Sequence, residues 1–168
     1  MASSELFSTA KTAFEDAGWN FQQVEGREVL RAGFEAHHTR VDLHLQVFPP
    51  IRAVTVVAES TRSTDDPLQR DRLSELAMRV NEQLTVGNFE ILWDSGRLVF
   101  RVTNLFPTPK GDASLIQGLV QNVVQEMDRI APLDAIIHLA DGPELAGLDI
   151  GVLLEREDLL PVGPESDS

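Results

Sequence analysis

The stretch from Asp65 to Phe106 limits the fold more than any other: it reads as an amphipathic helix feeding straight into a tight β-hairpin. Asp66-Pro67 is a start signal, because an aspartate accepts from the orphan N–H groups of a first turn and proline loses nothing there. Gln69, three residues after Asp66, completes a capping-box pattern. Leu73, Leu76, Ala77, Val80 and Leu84 share one helical face, and Gly87-Asn88 stop the helix. From Phe89 the period changes to two. Phe89, Ile91 and Trp93 alternate with Glu90, Leu92 and Asp94, and Leu98, Phe100 and Val102 with Val99, Arg101 and Thr103, around a Ser95-Gly96 turn. A two-residue loop predicts Trp93 opposite Leu98, Ile91 opposite Phe100 and Phe89 opposite Val102, all on the core face. The reverse face then sets Glu90 against Arg101, Asp94 against Arg97, and Leu92 against Val99.

Before this unit, Ser3 or Ser4 can cap a helix whose stripe is Leu6, Phe7, Ala10, Phe14 and Ala17, ended by Gly18. A short strand is expected near Phe21 to Glu25, a better one over Val29 to Phe34, and the cleanest alternation over Arg40 to Phe48, where Val41, Leu43, Leu45 and Val47 face inward. Pro49-Pro50 breaks the ladder, and Ile51 to Glu59 is a β-branched strand. After the hairpin, Asp112 can cap a long helix with Ile116, Leu119, Val120, Val123, Met127 and Ile130 as its stripe. Pro132 is expected to kink or end it. The order α-β-β-β-β-α-β-β-α is α+β: a curved antiparallel sheet of five or six strands with helices on one face. Residues 1–140 form this domain. Residues 141–168 form an acidic, partly apolar segment whose last residues, from Pro161, are expected to be disordered.

The chain carries −13, of which −7 falls on residues 141–168, and both parts are acidic. That argues against phosphate-backbone and anionic-membrane binding, which need clustered Lys and Arg. The absence of cysteine excludes disulfide scaffolds, thiolate metal sites and cysteine nucleophiles, and suits the cytoplasm. No basic, apolar leader and no apolar run of about 20 residues is present, so neither a signal peptide nor a spanning segment is expected.

The stretch Leu73 to Asn104, LSELAMRVNEQLTVGNFEILWDSGRLVFRVTN, resembles the YbjN-like family of small acidic bacterial proteins. The matching features are the R-x-N-x-x-L helix end, the G-x-F-E strand start, the D-x-G turn and the R-V-T strand. The resemblance covers roughly residues 4–140, and the segment after Asp141 departs from it. It implies a fold similar to the type III secretion chaperones, a dimer-forming protein-binding scaffold and no catalytic residues.

The residues themselves point the same way. His37 and His38 in a loop, with His44 and Asp42, would be the one set able to gather a zinc or nickel ion, but no H-x-E or H-E-x-x-H spacing supports it. Ser60, Thr61, Ser63 and Thr64 read as a linker into a helix cap rather than a phosphate loop. No phosphate-binding, dinucleotide-binding or nucleophile-elbow motif occurs. Trp93 belongs to the core by its alternation, while Trp19 suits an edge or a dimer seam. Neither a metal nor a cofactor is expected. The segment after Asp141 carries too many apolar residues to stay solvated. It buries on the outward sheet face, near Leu92 and Val99, or against a second copy, either as cover for its own sheet or in a partner-binding or dimer-swapping role. Leu92 and Val99, together with Leu148, Ile150, Leu153 and Leu154, form the candidate protein-interaction patch. The expectation is a non-enzymatic, chaperone-like adaptor or regulator, homodimeric and cytoplasmic, with an unidentified protein partner. The alternative is an enzyme or small-ligand binder with a pocket between the sheet and the third helix.

Overall fold

A computed structural model describes residues 2–160. The elements are α1 (Glu5–Asp16), β1 (Gln22–Gln23), β2 (Val29–Glu35), β3 (Arg40–Phe48), β4 (Ala53–Glu59), α2 (Pro67–Asn81), β5 (Asn88–Leu92), β6 (Arg97–Leu105), α3 (Ala113–Leu139), α4 (Gly142–Ala146) and α5 (Ile150–Leu154). The strands form one antiparallel sheet in the order β1-β2-β3-β4-β6-β5. Its inner face and the helices enclose one core, centred on Phe7, Phe14, Leu30, Leu45, Leu76, Phe100, Ile116 and Leu133. This is the expected α+β architecture, with the first strand reduced to two residues.

The helix starts follow from short polar side chains. Ser4, Asp66 and Asp112 accept from the N–H groups of Phe7, Leu68 and Leu115, each satisfying a donor that the helix itself cannot. β3 alternates as its sequence demands, with Val41, Leu43, Leu45 and Val47 buried. β4 is buried on both sides, because it lies between β3 and β6 and its outward side chains are boxed in by theirs. Thr55 hydrogen-bonds Thr103 at 2.8 Å, and Val57 sits between His44 and Arg101.

Four local expectations need correction. The hairpin register is shifted by two: Phe89 faces Phe100, Ile91 faces Leu98 and Leu92 faces Arg97. An even shift keeps every side chain on its face, but the loop now holds four residues, and Trp93 leaves the core to stand 60% exposed. The cause lies outside the hairpin. Thr64 N–H donates to Ser95 O, and Gly96, at φ 64°, packs so close that a Cβ would overlap the Thr64 carbonyl. Trp93 instead lies under the Arg70 guanidinium, 4.3 Å from its ring centre. Glu90 still pairs with Arg101, diagonally, at 3.0 Å, whereas Arg97 turns to Glu59 at 3.7 Å. Second, α2 ends at Asn81 rather than at Gly87, leaving Leu84 in the following turn. Third, α3 runs unbroken through Pro132. An internal proline costs about 3 kcal/mol, but Met127, Ile130, Leu133 and Ile137 bury the helix on both sides of it. Fourth, Gln69 does not close a capping box. It accepts from Thr64 Oγ1 and donates to the carbonyls of His138 and Ala140.

Candidate partner-binding site

The two edges of the sheet differ. At one, the Asn81 side chain donates to Phe89 O at 3.0 Å and accepts from Phe89 N at 2.7 Å. The amide imitates a neighbouring strand and closes the β5 edge at that point. This gives the R-x-N-x-x-L and G-x-F-E signatures a physical reason, since the helix end and the strand start are bonded to each other. Asn81→Ala frees both Phe89 groups and should lower stability by about 1–3 kcal/mol. Urea denaturation reads this directly, with Asn81→Asp, which keeps the acceptor, losing less.

The other edge is open. Residues of an antiparallel pair alternate between bonding their partner and facing away. Val47 N–H donates to Glu28 O and Ala36 N–H to Thr39 O, so Leu30, Ala32 and Phe34 bond β3. Val29, Arg31, Gly33 and Glu35 face the other way. Val29 O accepts from Val24 N–H, and Arg31 pairs with Gln22. β1 extends no further, and Gly33 and Glu35 turn their N–H and C=O groups to an edge that no described residue pairs.

A recess lies on each side of this open edge. On the inner side, a pocket of about 350 Å³ is lined by Trp19, Phe34, Ala36, Val120, Val124 and Asp128, among others. Trp19 meets Phe34 edge-on at 5.4 Å, so Trp19 does sit at an edge. On the outer side, a cleft of about 870 Å³ runs from Phe21 and Gln22 across Arg31, Gly33, Arg40 and His44 to Arg97. His44 is half-buried in its floor, and burial holds its pKa below the ordinary value, ahead of the opposing pull of Glu59. Arg40 donates through Nη1 to Glu35 and through Nε to Asp42. Its Nη2 lies over Gly33, where a Cβ would overlap it.

The residues of the sequence-based patch fall in two places. Leu92 and Val99 lie on the outward sheet face. Val99 is only 1% exposed, set between Glu59 and Glu90 across the two ladders and between Arg97 and Arg101 along its own strand. Ile150 is buried, and Leu148, Leu153 and Leu154 are half-buried against the core on the helix side. The described part of the C-terminal segment therefore covers its own α2, not the outward sheet face. Arg72 ties it down by donating to the carbonyls of Leu145 and Ala146. The expected disorder from Pro161 onward lies outside the described residues.

The histidines are dispersed. His37 and His38 stack edge-on in the β2–β3 loop, which Asp128 fastens by accepting from the N–H groups of His38 and Thr39. Among the described residues no three metal-ligating side chains converge. Ser60, Asp134 and His138 do meet. Ser60 Oγ donates to Asp134 Oδ2 at 2.6 Å, and His138 Nδ1 lies 3.1 Å from Oδ1 and 2.9 Å from Asp134's own carbonyl oxygen. The serine bonds the carboxylate, not the imidazole, so the histidine is not placed to take its proton as a nucleophile's base would. The hydrogen bond to Asp134 holds the His138 pKa above its ordinary value, against the cost of burial. A raised folded-state pKa contributes stability that is complete below about pH 6.5 and fades as pH rises through the folded pKa. The stability difference between the native chain and His138→Gln should accordingly shrink as denaturation is repeated from pH 5.5 to 8.5.

No family model matches the chain, and no characterised protein matches it in sequence. Solved structures do resemble it. A crystal structure of YbjN from E. coli matches with a TM-score of 0.53 and 15% identity, over 79% of this chain and 92% of that one. The HopA1–SchA chaperone–effector complex resembles it with a TM-score of 0.49 and 10% identity, over 73% of this chain and 91% of that one. The YbjN-like fold implied by the helix-and-hairpin signature is the fold this chain has.

Proposed function

We propose that this YbjN-like chain is a non-enzymatic, chaperone-like adaptor or regulator that holds a partner protein as an added strand on the open edge of β2. The contrast between the edges carries this reading: Asn81 closes Phe89, while Gly33 and Glu35 stay unpaired among the described residues. Sheet proteins blunt their edges against accidental pairing, and strand addition to an edge left open is a recurrent mode of peptide capture. Affinity capture with the intact chain and with Glu35→Pro tests it. Glu35 N–H faces outward, so proline removes a docking donor without removing a ladder bond. Proteins held by the intact chain should be missing from the variant's set. Identical sets, from a variant that melts like the parent, overturn the edge reading.

The homodimer and the cytoplasmic setting belong to the same proposal. The dimer seam would use the apolar end of the outward face, where Phe48 and Leu105 flank the buried Ala53 and Ile51 stands exposed. Light scattering should find a dimer that Phe48→Glu with Leu105→Glu converts to a monomer. A second reading, a small apolar ligand, is supported by the Trp19–Phe34–Val124 pocket between sheet and α3. A thermal-shift screen with metabolites separates the two, since a ligand of the native state raises its melting temperature.

A further inference from the structure

The chemistry on the two sides of the open edge specifies what kind of strand it takes. An added strand places each residue on the same face as the β2 residue it sits beside. A residue beside Gly33 points outward, and residues beside Ala32 and Phe34 point inward. The inward positions enter the pocket of Trp19, Phe34, Val120 and Val124, which is suited to a large apolar side chain. The outward position reaches the cleft where Gly33 contributes no side chain and leaves room. Two guanidinium groups wait there. Arg31 makes no ion pair among the described residues. Arg40 spends Nη1 and Nε on Glu35 and Asp42, leaving Nη2 over Gly33 without a hydrogen-bond partner among the described residues.

Resting on the strand-addition reading, we propose that the occupant is an extended segment of a partner protein in which acidic and large apolar residues alternate. The acidic side chains bond Arg31 and Arg40 Nη2 on the outer face, and the apolar ones fill the Trp19–Phe34 pocket on the inner face. Backbone bonds to Gly33 and Glu35 supply affinity, and the alternation supplies selectivity. The chain as a whole carries −13, so the acidic preference is set at close range by these two arginines. Salt screens both the short-range attraction of these pairs and the opposing repulsion of the distant negative charge.

The test is a selection of displayed random peptides on the immobilised full chain, followed by fluorescence anisotropy with the enriched sequence. Enriched peptides should alternate Asp or Glu with Leu, Ile, Val or Phe. Arg31→Glu combined with Arg40→Gln should weaken binding at least about tenfold, as loss of charge-assisted hydrogen bonds does. Glu35→Pro should abolish it, with all variants melting like the parent. Failure to enrich any peptide, or enrichment without acidic alternation, overturns the inference. So does a peptide that Glu35→Pro releases but the arginine variant does not, although strand addition itself then stands. A peptide indifferent to both variants overturns strand addition as well.

Discussion

Asp134→Ala is expected to remove about 3 kcal/mol of unfolding free energy, since it strips the buried Ser60 hydroxyl and His138 imidazole of a shared partner and each buried group left unsatisfied costs about 1–3 kcal/mol. Asp134 is 4% exposed and joins three parts of the chain. Its Oδ2 takes the Ser60 hydroxyl at the end of β4, and its Oδ1 faces His138 one helical turn along α3. Ser60 Oγ in turn accepts from Arg62 N–H, which shapes the connection into α2. Alanine leaves Ser60 and His138 facing each other across a void with no common partner. Asp134→Asn, which keeps an acceptor for Ser60, should lose less. Urea denaturation at pH 7 measures both, and a change within about 0.5 kcal/mol, the range of ordinary surface substitutions, would show that the network carries little.

The second large effect falls on the C-terminal segment. Leu145→Ala should cost about 2–5 kcal/mol, the range for emptying a filled leucine site. Leu145 is fully buried, α4 is fastened to α2 through Arg72, and the Gln69 amide holds the carbonyls at the end of α3 just before it. A chain ending at Gly142 should therefore melt at lower temperature than the full chain, because Leu145, Ile150 and Leu160 no longer join the buried core. Its oligomeric state by light scattering should equal that of the full chain, because those residues bury within one subunit. A change of oligomeric state on truncation would instead place the segment between copies.

Much of this fold was legible because local chemistry and burial agree. The cap residues Ser4, Asp66 and Asp112 perform the roles their positions suggest, and the alternation of β3 is realised residue by residue. The hairpin register was not legible, because the contact that fixes its loop comes from Thr64, some thirty residues before Gly96. Pro132 misled for a similar reason: its local cost is real, and burial of residues on both sides outweighs it. The candidate site was the least legible part. Leu92 and Val99 share a strand pair, but nothing in their spacing says that Val99 will be buried within the outward face. The open edge depends on where β1 stops. A two-residue strand carries almost no periodic signal, so Gly33 read only as a glycine inside a strand. That signal usually marks close approach by another backbone. Asn81 was quoted within a family signature, yet its bond to Phe89 required both elements in place.

Backbone amide hydrogen exchange, resolved by residue in the full chain, tests the asymmetry of the edges most directly. The Phe89 amide, donating to Asn81, should be protected like a ladder amide, while Gly33 and Glu35 should exchange at rates near those of open strand edges. Adding the enriched peptide should slow Gly33 and Glu35 and leave Phe89 unchanged. Gly33 and Glu35 amides already protected in the free chain would contradict the account, because the edge assigned to a partner would then be occupied by the protein itself.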